Sequence, residues 1–316
     1  MTGRYPEIEP YAHGMLDVGD GNRLYWETCG NPAGKPAVVL HGGPGGGCST
    51  GLRRYFDPSA YRIVLFDQRQ CGRSTPSASD PSTDLSTNTT EHLLGDLEKL
   101  REHLAIDRWQ LFGGSWGCVL GLTYAERHPD RVSEIVMMGI ATGRRSETDL
   151  ITRRLAALFP EAWERFRAGV PEADRDGDLA DAYHRLMSDP DPAVRRRAAD
   201  DWCTWEDAIV PVSTGHSAFA DPDYRMTFAR IVTHYFRAGS WLDEGVVLRD
   251  AGKLAGIPGV LVQGALDLSN LIGTPWELAQ AWPDSELILR HDAGHETQST
   301  SMVDTLVAAT DRFRPG

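Results

Sequence analysis

The chain has 316 residues, 41% apolar and 24% charged, as expected of a soluble globular protein with one large domain or a core carrying a substantial insertion. A formal net charge of −13 argues against a nucleic-acid surface, which needs clustered Lys and Arg, and no apolar run approaches the ~20 residues that span a bilayer. Five scattered cysteines (Cys29, Cys48, Cys71, Cys118, Cys203), with no C-x-x-C pair, point to packing thiols rather than a disulfide framework or a zinc site.

The opening stretch "MTGRYPEIEPYAHG" lacks the apolar segment of a signal peptide, so a cytoplasmic location is expected. Strands are predicted at "NRLYWETC" (22–29), "AVVLH" (37–41), "YRIVLFD" (61–67), "WQLFG" (109–113) and "VSEIVMMG" (132–139). The short continuous apolar runs among them fit buried strands. Between the third and fourth, "TTEHLLGDLEKLREHL" (89–104) spaces Leu93, Leu94, Leu97, Leu100 and Leu104 as a helix does, with Thr89 or Thr90 as its N-cap. "GCVLGLTYAERHP" predicts a second helix that stops before Pro129. Alternating strands and helices imply parallel crossovers and an α/β sheet.

From about Arg144 to Arg249 the pattern turns helical. "DLITRRLAALFPEAWERF", "LADAYHRLMS", "PAVRRRAADDWCTWEDAI" and "YRMTFARIVTHYF" all read as helices, and no buried strand is expected. The α/β pattern resumes at "GVLVQGALD" (259–267) and "SELILRHDAGHE" (285–296), then closes with a helix from about Met302 to Phe313. We therefore expect a core formed by 1–143 and 250–316, with 144–249 as a helical lid. There is no internal repeat, and one Ser/Thr/Asp/Pro-rich loop spans 74–88.

The chemistry begins at "FGGSWGC", 112–118. A glycine-rich turn between strand and helix is one reading. The other is a nucleophile elbow, G-x-S-x-G, in which a strained backbone lifts the Ser115 hydroxyl above the sheet. A serine hydroxyl needs a histidine to take its proton and a carboxylate to orient that histidine. In elbow-type hydrolases these follow in the chain order Ser, acid, His, from loops at the carboxyl ends of strands. Asp267 closes "GVLVQGALD" and His295 sits in the turn after "ELILR". His291 lies too close to its strand end, and His41 belongs to another motif. Two backbone N–H groups are also needed where negative charge develops. The amide of Trp116 follows the nucleophile, and the loop "LHGGPGGG" (40–47) offers Gly43. That loop lacks the G-K-[ST] ending of a phosphate cradle.

Together "HGGPGGG" (41–47), "FDQRQCGRS" (66–74), "GGSWG" (113–117) and "DAGH" (292–295) resemble the proline iminopeptidases of the α/β-hydrolase fold. The likeness extends over nearly the whole chain, through "YWETCGNPAGKPAVVLHGGPGGG", "NTTEHLLGDLEKLREHL", "YAERHP" and "WELAQAWPDSEL". It implies a mostly parallel sheet with an inserted helical lid. It also implies a serine peptidase without metal or cofactor, acting through an acyl-enzyme on a small peptide or amide with a free amino terminus. The family's lid motif W-x-x-W-E matches Trp202, Trp205 and Glu206, and implies that Glu206 binds the substrate ammonium. Where the family carries a second glutamate this chain has Val232, and Ala141 replaces a pocket aromatic. Gln70 replaces a glycine, and "GALD" stands for "GRYD". The machinery is expected to be intact and the specificity pocket, around Glu206, Trp205, Ala141 and Val232, remodelled.

An ester, amide or lactone hydrolase on the same scaffold is the alternative. A non-catalytic receptor would have no need of Ser115, Asp267 and His295 together. Haloalkane and epoxide hydrolases carry an aspartate at the elbow, where this chain has serine.

Overall fold

The apolar runs read from the sequence become the strands of one sheet. The computed structural model describes residues 3–210, 218–295 and 299–315. Eight strands are joined in the order β1-β2-β4-β3-β5-β6-β7-β8. They are β1 (Pro10–Gly19), β2 (Asn22–Gly30), β3 (Lys35–Leu40), β4 (Tyr61–Phe66), β5 (Trp109–Ser115), β6 (Val132–Ile140), β7 (Gly259–Gly264) and β8 (Ser285–Arg290). β1 pairs with β2, and β2 with β4, in antiparallel fashion; every pairing from β4 to β8 is parallel.

The parallel strands are covered on both faces, which explains their unbroken apolar sequence. Alternate residues feed opposite layers: Val38 and Leu40 join one cluster, Ala37 and Val39 the other, and β4 repeats this with Val64 and Phe66 against Ile63 and Leu65. Helices α1 (Thr90–His103) and α2 (Trp116–Arg127) cover the first face. The C-terminal helix, Thr300–Arg312, covers the second through Met302, Leu306 and Val307.

Between β6 and β7 no strand occurs among the described residues, and the helical expectation holds with one correction. The stretch 149–166, read as a single helix, is broken into α3 (Arg145–Thr152), a 3-10 turn (Arg154–Ala157) and α4 (Pro160–Ala168). Arg153 leaves helical geometry at φ −148°, ψ −53°. Pro160 starts the next helix because a ring without an N–H suits the first turn and not the interior. Then come α5 (Leu179–Leu186), α6 (Pro192–Ile209), α7 (Pro222–Arg237) and α8 (Val246–Asp250), with α9 (Gly273–Ala281) following β7 and α10 (Thr300–Arg312) last. Residues 211–217 of the expected lid, and Glu296 of the expected histidine turn, lie outside the described residues.

These helices have their own core, in which Trp163, Phe166, Tyr183, Trp202 and Trp205 pack ring against ring. Helix α7 ties it to the sheet. Phe228, Ala229 and Val232 face the helical core, whereas Ile231 and Tyr235 join the cluster over α1 and α2. That division is the helical repeat of an element buried on two sides.

β1 and α9 escaped the sequence reading. β1 is an edge strand of mostly part-exposed residues without a clean apolar alternation. α9 is short and has no strong amphipathic stripe to announce it.

Candidate active site

Ser115 ends β5 and caps α2 at φ 55°, ψ −121°, a conformation closed to most L-residues and held only where the surroundings impose it. The neighbouring glycines make it possible. A Cβ at Gly117 would lie 2.1 Å from the Leu40 carbonyl oxygen, and one at Gly113 would lie 2.9 Å from that of Gly117. The turn has the backbone geometry of a nucleophile elbow. Trp116 follows as the first residue of α2, where a backbone N–H has no intrahelical acceptor. From the end of β3, the 42–47 loop crosses directly over the elbow; a Cβ on Gly42 would meet the Ser115 Cβ at 3.3 Å.

His295 follows β8 and Asp267 follows β7. His295 Nδ1 lies 2.8 Å from Asp267 Oδ2, so Nδ1 carries the proton and Nε2 is left as the basic nitrogen. Asp267 is 3% exposed and held from several sides. Oδ1 accepts from the backbone N–H groups of Ser269 and Asn270 at 2.9 Å each, and Oδ2 accepts from Gln263 Nε2 at 3.1 Å. Burial alone would raise the Asp267 pKa. The facing His295 and these donors outweigh it and hold the carboxyl below its usual range. Burial likewise opposes the imidazolium of His295, but the charge and hydrogen bond of Asp267, with help from Glu206, raise its pKa above the ordinary histidine value.

A pocket of about 630 Å³, counted with the open solvent at its mouth, lies over this group, and Ser115, Trp116, Gly43, His295, Ala141 and Glu206 all line it. The structure thus gathers all the expected residues around one chamber except Asp267, which stands behind His295, and Trp205 and Val232, which are a correction. Both are fully buried in the helical core and absent from the cavity wall. The Trp205 indole donates from Nε1 to the carbonyl of Ile151, a wall residue, at 3.0 Å and so stands behind that wall, and α7 turns Val232 toward the same core.

Glu206, from α6, accepts from Trp202 Nε1 at 3.1 Å. Burial pushes its pKa up to about 7, against the lowering effects of that hydrogen bond and of His295. The carboxylate is therefore poised between neutral and charged near physiological pH, and a bound cation would draw it to the charged form. The other carboxylate on the wall, Glu147, is already engaged by the backbone N–H groups of Thr142 and Gly143 and the Thr142 hydroxyl.

Sequence reasoning missed the supports behind the expected residues. Gln263 bridges the Ile140 N–H (2.9 Å) and Asp267, and Asn270 donates to the Gly139 carbonyl (3.0 Å) beside His295. Gln263 did carry a signal, a polar residue inside the fully buried run "GVLVQG". Among the described residues no group of three or more His, Cys, Asp or Glu could hold a metal ion, and no helix is long and apolar enough to cross a membrane.

Residues 35–301 match the model of the alpha/beta hydrolase fold family. The chain is 60% identical to a probable proline iminopeptidase of Streptomyces coelicolor, over 99% of this chain and 98% of that protein. It is 46% identical to a proline iminopeptidase of Xylella fastidiosa, over 99% of this chain and all of that one. The crystal structure of a proline iminopeptidase from Mycobacterium smegmatis superposes with a TM-score of 0.60 at 17% identity, covering 95% of this chain and 98% of that one, a likeness of fold. With the elbow, the Asp267–His295 pair and this degree of identity over almost its whole length, the chain belongs to the proline iminopeptidase family of α/β hydrolases.

Proposed function

We propose that the protein is a serine aminopeptidase that releases an N-terminal residue, proline or another small one, from short peptides or amides. The observation that carries this reading is the meeting, in one chamber, of Ser115 in its strained turn, the Asp267-bound His295 and the part-buried Glu206 carboxylate. Ser115 Oγ attacks the carbonyl carbon of the first residue as His295 Nε2 takes its proton. The oxyanion that forms is met by the backbone N–H groups of Gly43 and Trp116. The imidazolium, stabilised by Asp267, gives the proton to the departing amine and leaves an acyl-enzyme. Water, deprotonated by His295, then frees the amino acid and restores Ser115.

Glu206 pairs with the substrate's α-ammonium, which a desolvated chamber would otherwise reject. Ala141, Val119 and Ile151 give the first residue a small apolar wall. The helices between β6 and β7 act as the lid, closing the chamber against longer chain on the amino side. Five free cysteines support a reducing, cytoplasmic setting.

The test is a fluorophosphonate probe on the wild type, followed by peptide mapping, with turnover of prolyl and alanyl arylamides measured in parallel. Label on Ser115, loss of both label and turnover in Ser115→Ala, and arylamide hydrolysis by the wild type are expected. Label on another serine, or activity retained in Ser115→Ala, would overturn the reading.

A further inference from the structure

The two N–H groups assigned to the oxyanion come from different strands and have to be kept at a fixed separation. Gly43 lies two residues beyond His41, after β3, and Trp116 follows β5. One buried side chain touches both segments. Gln68, after β4 and 2% exposed, donates from Nε2 to the His41 carbonyl at 3.0 Å and accepts at Oε1 from Trp116 Nε1 at 2.9 Å. Its own backbone N–H donates to His41 Nε2 at 3.0 Å. That contact places the His41 proton on Nδ1, which donates to the Gly42 carbonyl at 2.9 Å and so fixes the peptide that carries the Gly43 N–H. Burial keeps His41 neutral, as an accepting Nε2 requires. The Trp116 ring also packs edge-on against Tyr235, at 4.6 Å between centroids. The Gln68 amide has its oxygen toward an indole N–H and its nitrogen toward a carbonyl, so every polar atom it buries is satisfied and it cannot flip without losing both bonds.

We propose that Gln68 is a positioning residue for the oxyanion site: it clamps the 41–43 loop to the start of α2, and thereby sets the distance between the Gly43 and Trp116 donors. This rests on the reading of Ser115 and these two N–H groups given above. Gln68 touches no substrate and acts through His41 and Trp116. A displaced donor loses its strength in the transition state, where the oxygen is charged, and much less in the ground state.

The experiment compares Gln68→Met, which keeps the size of the side chain and removes both bonds, with Trp116→Phe, Gln68→Glu and the Gln68→Met/Trp116→Phe double variant. For each we would measure kcat and KM on a neutral aryl ester, and affinity for a peptide aldehyde whose adduct carries the tetrahedral oxyanion. Expected for Gln68→Met is a roughly 10–100-fold fall in kcat with KM almost unchanged, and an equal fall in aldehyde affinity. The downfield proton resonance of His295 Nδ1 should stay in place. Trp116→Phe should lose part of this, the double variant little more than Gln68→Met alone, and Gln68→Glu, which keeps the acceptor for Trp116, should fall between. Unchanged kcat and aldehyde affinity with only a lower Tm, or independent additive losses, would overturn the proposal. Should Gln68→Met fail to fold, full activity in Trp116→Phe does so. Fluorophosphonate mapping of the wild type separates the two levels: label away from Ser115 removes the premise, whereas label on Ser115 with unaffected variants rejects only the role of Gln68.

Discussion

Asp267 and His295 are 28 residues apart in sequence and 2.8 Å apart in space, brought together because β7 and β8 are parallel neighbours whose carboxyl ends share one side of the sheet. If this pair serves Ser115 as one unit, His295→Ala and Asp267→Asn should each lower kcat by roughly 10⁴-fold, and either change added to Ser115→Ala should cost little more. His291→Ala should be near neutral. Steady-state kinetics on the single and double variants decide the matter, and a large effect of His291→Ala would move the base.

Glu206→Gln preserves shape and removes one charge from the chamber. Losing one partner of a desolvated ion pair costs roughly 2–5 kcal/mol, so kcat/KM on amino-acyl arylamides should fall ~30-fold or more. An aryl acetate brings no cation and should be cleaved almost as before. Equal losses on both substrates would make Glu206 a support of the lid, and no loss on either would favour the ester or amide hydrolase.

The pH profiles should differ in the same way. If His295 is the base it must be neutral to act, and its pKa is raised, so activity on a neutral ester should fall on the acid side with a midpoint above 6.5. If Glu206 pairs with the substrate ammonium, amino-acyl substrates need it ionised as well, and its pKa is about 7, so their acid limb should be steeper. Because Glu206 helps to raise His295, Glu206→Gln should move the ester midpoint to lower pH. An unmoved midpoint would show that the two groups are not coupled.

Val232→Glu, which would restore the second carboxylate of the family, should not rescue proline recognition here. Val232 is 0% exposed within the helical core, and an unpaired carboxylate buried there costs stability. Differential scanning calorimetry should show a Tm lower by several degrees, with prolyl arylamide kinetics no better. A gain in that activity would mean the new carboxylate reaches the chamber.

Glu126, on α2, is 5% exposed with an unpartnered Oε1, and burial, reinforced by Asp250, pushes its pKa up to about 8 from 4.5. An acid whose folded pKa is raised favours folding most below pH 4.5 and loses that advantage as pH climbs through 8. Glu126→Gln should therefore raise Tm at pH 8–9 and leave it unchanged near pH 4. A Tm gain that does not vary with pH would point to packing instead.

Local chemistry made much of this readable in advance. Continuous apolar runs mark strands covered on two faces, leucines at helical spacing mark α1, and the glycines around Ser115 mark a turn that only they allow. The order Ser115, Asp267, His295 after three strand ends could be read because parallel strands deliver their carboxyl ends to one side. The break at Arg153 and Pro160 was written in the proline, but the apolar content on either side hid it. β1 left little trace, since an edge strand with half-exposed faces needs no strict alternation.

What the residues alone determined were the candidates for the reacting groups, because nucleophile, base and acid each require a particular functional group at a strand end. Which side chains share a chamber was decided only by the tertiary structure. Glu206 and Val232 lie on neighbouring helices, but the rotation of α6 and α7 about their axes sends the first to the cavity and the second into the helical core. Gln68 reads in the chain as part of a loop after a strand. Its bonds to His41 and Trp116 exist because β3 lies between β4 and β5 in the sheet, leaving its end within reach of both, a neighbour relation that no local pattern encodes.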